Sequence, residues 1–173
     1  MRKFAILVLS ITLSGCHKPA KRINEIIKVE VAHSGYWSTG GAATAIDSTL
    51  HLTYYGRPGI RNLNYYEGTI DTATWNTLNR KLASVRFKSV DAIVDRHIAD
   101  IPTYELIVYW KNGKRRLVRD FHAGDSVLNT IRWLDSIYRH TALKPAKKPA
   151  KLETTFQNPP AIPKEQAKFP WPK

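Results

Sequence analysis

Four short stretches of the chain distribute their apolar residues in the manner of β-strands. In residues 27–31 every second side chain is apolar and those between are charged, so one face of a strand would lie in a core. The same period of two recurs in residues 50–54 and 63–68. Residues 104–110 are apolar on both faces apart from Glu105, which is typical of a central strand.

Two longer stretches repeat their apolar residues with the period of a helix. Asp71 precedes the first and Asp125 the second, and aspartate is a residue type that caps helix N-termini. We expect Trp110 of the central strand and Ile131 of the second helix to be buried in one contiguous core. The predicted inward-facing residues are Trp75, Leu78, Leu82 and Val85 in the first helix and Val127, Leu128, Ile131, Leu134, Ile137 and Tyr138 in the second.

Turn signals between these elements predict how they connect. Residues 34–44, SGYWSTGGAAT, form a glycine-rich connection after the first strand, and Asn112-Gly113 marks a tight hairpin turn before a partner strand at residues 116–121. A further short strand is expected within residues 87–100. Because hairpins dominate, we predict an α+β domain with a mostly antiparallel sheet of about five or six strands and two helices packed on one face.

The amino-terminal segment, MRKFAILVLSITLSGC, has a basic start, about ten mostly apolar residues and two small residues before Cys16. The apolar run is too short to span a bilayer as a permanent helix. The segment resembles the signal peptide and lipobox of bacterial lipoproteins. The resemblance implies cleavage of residues 1–15, a diacylglyceryl group on the Cys16 sulfur, an acyl chain on the new amino terminus and a lipidated tether at residues 16–22. We therefore expect an envelope protein anchored on the lipid bilayer and facing the periplasm.

The charge of the chain lies mostly outside the predicted domain. Of 173 residues, 27 are Lys or Arg and 14 are Asp or Glu, which gives a net charge of +13. The predicted domain, residues 23–143, is nearly balanced, whereas residues 144–173 hold seven lysines and seven of the ten prolines. We predict a disordered tail there, whose lysines and terminal Phe169 and Trp171 would contact an envelope protein or an anionic cell-wall polymer. Deleting residues 145–173 should then leave the melting temperature within a few degrees.

The number of cysteines and the expected location of the protein exclude several classes of function. A single Cys excludes a disulfide framework and a cysteine-based zinc site. Because the mature protein would lie outside the cytoplasm, the basic surplus does not indicate nucleic-acid binding. No cofactor is predicted. The sequence also lacks a GxSxG motif, and we favour a protein that is not an enzyme.

Aromatic residues supply the first candidate binding site. Tyr54, Tyr55, Tyr65 and Tyr66 are predicted to face one another across a hairpin, and Trp37 lies in the glycine-rich connection. Such rings can stack on sugars, which suits a glycan or small-ligand site that uses Trp37, Tyr54 and Tyr65. Cross-strand aromatic pairs also stabilise hairpins without any ligand, and that alternative stays open.

A run of basic residues around the last hairpin supplies the second candidate. Lys111, Lys114, Arg115, Arg116 and Arg119 lie within nine positions. Arg115 and Arg116 are the proposed ligand contacts, and anionic lipid head groups would be attracted to such a surface. The alternative is a solvated edge that its charges protect against pairing with other strands.

Acidic residues and a histidine before the central strand supply the third candidate. Asp91, Asp95, His97 and Asp100 are residue types that bind metal ions or act as acid and base. Their spacing fixes no ligand geometry, and Arg96 lies inside the cluster. The alternative is an ordinary polar loop.

Three short segments resemble a bacterial family of unknown function whose members are often secreted or lipid-anchored. They are Tyr66-Glu67-Gly68, the stretch from Ala99 to Thr103, and Asn112-Gly113-Lys114 followed by Val118-Arg119-Asp120-Phe121. The resemblance covers about residues 25–140. Many members carry a C-x-G-x-C-P element after the first strand, but residues 34–44 contain no cysteine here. The resemblance therefore implies fold and location and implies no activity.

The leading hypothesis is a non-enzymatic, lipid-anchored α+β domain that binds a protein or a cell-wall component. One alternative is a metal-dependent or hydrolytic envelope enzyme that uses the Asp91–Asp100 cluster and His97. Another is a glycan or small-ligand binder that uses Trp37 and the hairpin tyrosines.

Overall fold

The computed structural model of the protein describes residues 25–35, 41–59, 61–90, 102–120 and 126–157. These residues form one antiparallel sheet of seven strands with two helices, so the predicted α+β class is confirmed and the sheet is larger than the expected five or six strands. The strands are β1 Ile26–His33, β2 Ala42–Asp47, β3 His51–Gly56, β4 Asn64–Thr69, β5 Thr103–Trp110, β6 Gly113–Asp120 and β7 Lys144–Pro145, and the helices are α1 Thr72–Ser84 and α2 Ser126–Ser136, which continues as a 3-10 helix, Ile137–His140.

The strand order across the sheet is β6-β5-β1-β2-β3-β4-β7. The first strand of the chain is therefore central, between β5 and β2, and each of its neighbours runs antiparallel to it. Strand β2 was not predicted, because its sequence AATAID consists mainly of small residues that lack a clear alternation of apolar and polar side chains. Its first five residues are nevertheless all buried, which indicates that both faces of the sheet are covered here.

One face of the sheet packs against both helices and forms the apolar core. Ile131 of α2 is fully buried in it, as predicted. Trp110 is only half-buried and packs on the edge of the core with its ring centroid 6.2 Å from that of Phe87, so the prediction of a buried Trp110 is wrong. The inward helix residues are placed as expected, with Leu78, Leu82, Val127, Leu128, Leu134 and Ile137 buried and Trp75, Val85 and Tyr138 partly buried.

Of the predicted element ends, the Asp71 cap is confirmed and one hairpin turn is shifted, while the predicted cap Asp125 lies outside the described residues. The Asp71 carboxylate accepts a hydrogen bond from the Thr74 N–H at 2.6 Å and so caps α1. The Thr74 hydroxyl and this N–H lower the pKa of Asp71. The hairpin turn between β5 and β6 is displaced by one residue from the prediction, because Trp110 pairs with Gly113 and the two-residue loop is Lys111-Asn112. Gly113 has φ +148°, which glycine adopts readily.

The carboxy-terminal segment corrects the predicted tail. Residues 144 and 145 form β7 on the outer edge of β4, and the Ala146 N–H donates to the Tyr65 carbonyl at 2.9 Å. The chain then crosses the sheet face opposite the helices, and we call residues 150–157 the strap. The prediction of disorder is therefore wrong for residues 144–157, since buried carboxylates on the sheet receive the backbone of this segment. Residues 158–173 lie outside the described residues.

Candidate functional site on the strap face

The strap lies on the face of the sheet that carries the polar half of each alternating strand, here called the strap face. Successive side chains of a strand point to opposite faces, so Glu30 points away from the core into which Val29 and Val31 pack. The strand register places five side chains in one row across this face: Glu105, Ala32, Ala43, Tyr55 and Tyr65. Small residues in the middle of the row leave space for a backbone to lie across the sheet.

The Glu30 carboxylate holds the first half of the strap. The side chain is fully buried, and its Oε2 accepts hydrogen bonds from the backbone N–H groups of Glu153 at 2.7 Å and Thr154 at 3.1 Å. Its Oε1 lies 2.5 Å from the Lys28 ammonium. A buried carboxylate is tolerated when it is paired and hydrogen-bonded, and this one has both kinds of partner.

The Glu105 carboxylate holds the second half in the same way. Its Oε2 accepts the N–H groups of Thr155 at 2.7 Å and Phe156 at 3.2 Å, and its Oε1 lies 3.1 Å from the Arg116 Nε. The Arg116 guanidinium also donates to the Glu153 carbonyl at 2.9 Å. Four consecutive N–H groups of the strap therefore end on two buried carboxylates, one on β1 and one on β5.

The end of the strap also packs closely against the sheet. Thr154 and Gln157 are buried. A Cβ at Gly41 would lie 2.6 Å from the Gln157 Cα and 2.8 Å from the Phe156 carbonyl oxygen, so only glycine fits beneath the strap without a shift of backbone. At the surface, the Glu153 carboxylate pairs with Lys114, which lowers its pKa. These contacts make the strap a part of the fold.

The four hairpin tyrosines divide between the two faces. Tyr54 pairs with Tyr66 and Tyr55 pairs with Tyr65 across β3 and β4. Tyr54 and Tyr66 are buried in the core, where Tyr54 stacks on Tyr138 with 4.0 Å between ring centroids and burial raises its pKa. A single ligand platform made of Tyr54 and Tyr65 is therefore wrong, because these two side chains lie on opposite sides of the sheet.

Tyr55 and Tyr65 remain as a candidate site on the strap face. Both are half-buried, and their ring centroids lie 4.8 Å apart. Leu63, just before β4, has 40% of its surface exposed and is the most exposed large aliphatic side chain among the described residues. We call Tyr55 and Tyr65 the aromatic strip.

The basic hairpin is also divided by the alternation of strand faces. Arg115 lies on the helix face and donates to the backbone carbonyls of Phe87 and Val90, while Arg116 lies on the strap face beside Glu105. Arg119 is buried. Arg115 and Arg116 therefore do not form one ligand site, because each is already bonded to a different part of the domain.

A histidine–aspartate pair was missed by the sequence reasoning. His33 Nδ1 lies 3.0 Å from Asp135 Oδ1 and joins the end of β1 to α2. Burial, followed by the charge of Asp135, raises the pKa of the neighbouring Tyr104. The available signal was a single acidic residue beside the apolar face of α2. The pair fastens the helix to the sheet.

Several predicted site residues lie outside the described residues. They include Cys16, the signal peptide 1–15, the remainder of the tether 16–22, and Trp37. Within the described ranges no cluster of three or more His, Cys, Asp or Glu side chains has the arrangement of a metal site. In the same ranges, no helix has the length and hydropathy to cross a membrane. The metal candidates Asp91, Asp95, His97 and Asp100 also lie outside them, so their role stays a prediction.

Comparison with known families identifies one match. The family model described as "Domain of unknown function (DUF6438)" matches residues 42–138. This range contains both helices and strands β2 to β6, but the central strand β1 and the strap lie outside it. None of the curated proteins matches the chain.

Proposed function

We propose that the chain, which belongs to the DUF6438 family of domains of unknown function, is a lipid-anchored, non-enzymatic binding domain of the bacterial envelope. This role is drawn from the chain's own residues. Its ligand is a cell-wall glycan, and its contact surface is the aromatic strip on the strap face. The amino-terminal resemblance to lipoproteins supports the location. The aromatic strip supports the binding role.

The observation that carries the proposal is the contrast between the two tyrosine pairs. Tyr54 and Tyr66 have packing partners in the core, so their presence needs no ligand. Tyr55 and Tyr65 instead hold two partly exposed rings at a fixed separation on neighbouring strands. Rings of this kind combine apolar faces with hydroxyl groups, which suits the C–H and O–H groups of a sugar. Rigid strands reduce the conformational entropy lost on binding.

Pull-down with purified peptidoglycan tests the binding role. Tyr55→Ala and Tyr65→Ala should each weaken binding by tenfold or more, because ring stacking is lost. Tyr55→Phe and Tyr65→Phe should retain most of the binding, since they keep the rings. Trp133→Ala, an aromatic substitution on α2, is the matched control. Equal binding by the alanine variants and the parent chain would overturn the aromatic strip as the contact surface.

Cell fractionation tests the anchor separately. Cys16→Ser should move the protein from the membrane fraction to the soluble envelope fraction without a change in melting temperature. Retention of this variant in the membrane fraction would contradict lipidation at Cys16. Because the variant keeps Tyr55 and Tyr65, its peptidoglycan binding reports on the strip independently of the anchor.

The enzyme alternative keeps its own test. It rests on Asp91, Asp95, His97 and Asp100, which the structure does not describe. Titration of the purified chain with divalent cations, followed by melting temperature, examines it directly. A rise that His97→Ala abolishes would favour a metal-dependent enzyme over a binding domain.

A further inference from the structure

A pocket of about 410 Å³ opens at the end of the domain where β1 begins. Its apolar lining includes Ile26, Leu82 and Phe87, together with one side of Trp110. The rim carries cations, and none of the described residues that line the pocket is Asp or Glu. We call this feature the β1-end pocket.

The cations of the rim stand beside the tryptophan. The Lys88 ammonium lies 4.8 Å from the centre of the Trp110 ring, and Arg86 and Lys88 are both exposed. Further along the same end, Lys111 pairs with Glu25 at 3.0 Å, and both side chains are more than half exposed. Arg86 and Lys88 therefore supply cations at the rim of the pocket, and the charge of Lys111 nearby is offset by Glu25.

The turn that presents these cations is fixed. Arg86 has φ +48°, in the left-handed region that non-glycine residues seldom adopt. Its carbonyl accepts the N–H groups of Ser89 and Val90 at 2.8 and 3.1 Å. Arg115 also donates to the carbonyls of Phe87 and Val90. Unfavourable backbone conformations persist where the surroundings hold them, as these bonds do here.

The tether would bring this end of the domain close to the membrane. The chain passes from Cys16 to Glu25 in nine residue steps, which span at most about 30 Å when fully extended. Lys18, Lys21 and Arg22 lie along these steps. If Cys16 carries lipid, as the proposed function requires, the start of β1 stays within that distance of the bilayer.

We propose that the β1-end pocket docks on the anionic surface of the membrane, with Trp110 at the level of the lipid head groups and Arg86 and Lys88 against their phosphates. Tryptophan favours this depth because its ring is apolar and its N–H is polar. Each basic side chain near an anionic leaflet adds to the attraction. Docking would leave the strap face free for the cell-wall ligand, since the pocket lies at one end of the sheet.

Vesicle co-sedimentation tests the docking surface without the lipid anchor. The chain from residue 16 onward with Cys16→Ser keeps the tether and all described residues. It should bind vesicles of phosphatidylglycerol and phosphatidylcholine, and bind pure phosphatidylcholine far less. Arg86→Gln with Lys88→Gln should lower the partition coefficient about 25-fold, at roughly fivefold per charge. Trp110→Ala should lower it several-fold, and raised salt should weaken binding in all forms that retain the cations.

Matched controls come from a second cation–ring pair. The Lys81 ammonium lies 5.2 Å from the centre of the Trp133 ring on the helix layer, so Lys81→Gln and Trp133→Ala remove similar groups elsewhere. These controls should bind like the parent chain. Melting temperatures of all variants separate loss of binding from loss of folding. Any binding that remains in the Arg86/Lys88 variant measures the basic tether and tail.

Two outcomes would overturn the docking surface. One is equal vesicle binding by the Arg86/Lys88 variant and the parent chain. The other is saturable binding of glycerol phosphate at the pocket without a preference for anionic vesicles, which would make it a small-anion site. Neither outcome depends on lipidation, because all chains carry Cys16→Ser. Neither depends on the aromatic strip, which peptidoglycan binding measures separately.

Discussion

The two faces of the sheet are covered by different means. The helix face is closed by a cluster of apolar side chains shared among α1, α2 and six strands, and its stability is spread over many contacts. The strap face is closed by a single extended segment, held largely through Glu30 and Glu105. Deleting one apolar side chain weakens the first face locally. Losing the strap would leave two buried carboxylates without their backbone donors.

This difference bears on where the folding unit ends. The family match, residues 42–138, omits β1, although β1 separates β5 from β2 in the sheet. It also omits the strap, which covers β1 and β5. The described structure therefore forms one unit from Ile26 to Gln157, larger than the matched range.

Truncation should give the largest effect and compares the two faces directly. A chain ending after residue 143 loses β7 and the strap, whereas a chain ending after residue 157 keeps both. The first should lose most of its stability, because hydrogen bonds to charged groups contribute about 1.5–3 kcal/mol each and four are lost. The second should melt within a few degrees of the full chain. Thermal melts that show the same midpoint for both truncations would break the distinction between the faces.

Substitution in the helix-face core should have the next largest effect. Ile131 is fully buried, so Ile131→Ala should lower the free energy of unfolding by about 2–5 kcal/mol. Asn129 is exposed on the same helix, and Asn129→Ala should change it far less. Urea denaturation of both variants gives the comparison. A loss below about 1 kcal/mol at Ile131 would mean that the helix packs through another face.

Adding a methyl group beneath the strap should reduce stability less than the substitution at Ile131, and the reduction should depend on the presence of the strap. Gly41→Ala places a carbon against Phe156 and Gln157 as well as the His33 carbonyl, and forced packing of this kind costs about 1–3 kcal/mol. If the strap is part of that cost, the same substitution should be less harmful in the chain that ends after residue 143. A double-mutant cycle measures the difference. Strict additivity would mean that the clash involves His33 alone.

Titration of buried tyrosines at alkaline pH should produce the smallest change in stability. Burial, followed by the charges of Glu30 and Glu153, raises the pKa of Tyr109 beneath the strap from its ordinary value of 10.0. As pH rises, Tyr109 therefore ionises at a lower pH in the unfolded chain than in the folded one. Its contribution to the stability of the fold is complete below pH 10 and is lost as pH rises above that value. Tyr109→Phe should make the decline of melting temperature between about pH 9 and 11 shallower. Tyr54→Phe should do the same from the helix face, and identical slopes in all three chains would contradict both.

Side-chain periodicity predicted the helix face well and the strap face poorly. The apolar residues of α1 and α2 repeat regularly, and Asp71 marks the start of α1 in the sequence itself. The sequence could also have predicted that Tyr54 and Tyr55 lie on opposite faces of the sheet, as do Arg115 and Arg116, because adjacent strand residues must face opposite sides. The predicted sites instead combined residues that are close in the sequence, without regard to the face on which each lies.

The strap could not be predicted from its own residues. It is held through backbone N–H groups, which every non-proline residue has, so its lysines and prolines carry no signal of it. The informative residues were distant: Glu30 and Glu105 are acidic side chains on strands that are buried on both faces. An acidic residue in such a strand requires donors, and the sequence does not say which segment supplies them. Strand β2 was missed for a related reason, because its alanines fit beneath the strap without marking a face.

Amide hydrogen exchange tests the central claim most directly, which is that Glu30 and Glu105 hold the strap by its backbone. The N–H groups of Glu153, Thr154, Thr155 and Phe156 should exchange far more slowly than those of the exposed Lys147 and Lys148. Glu30→Gln should reduce protection first at residues 153 and 154, and Glu105→Gln first at residues 155 and 156. Exchange of all four amides at the rate of an unstructured peptide would contradict the account.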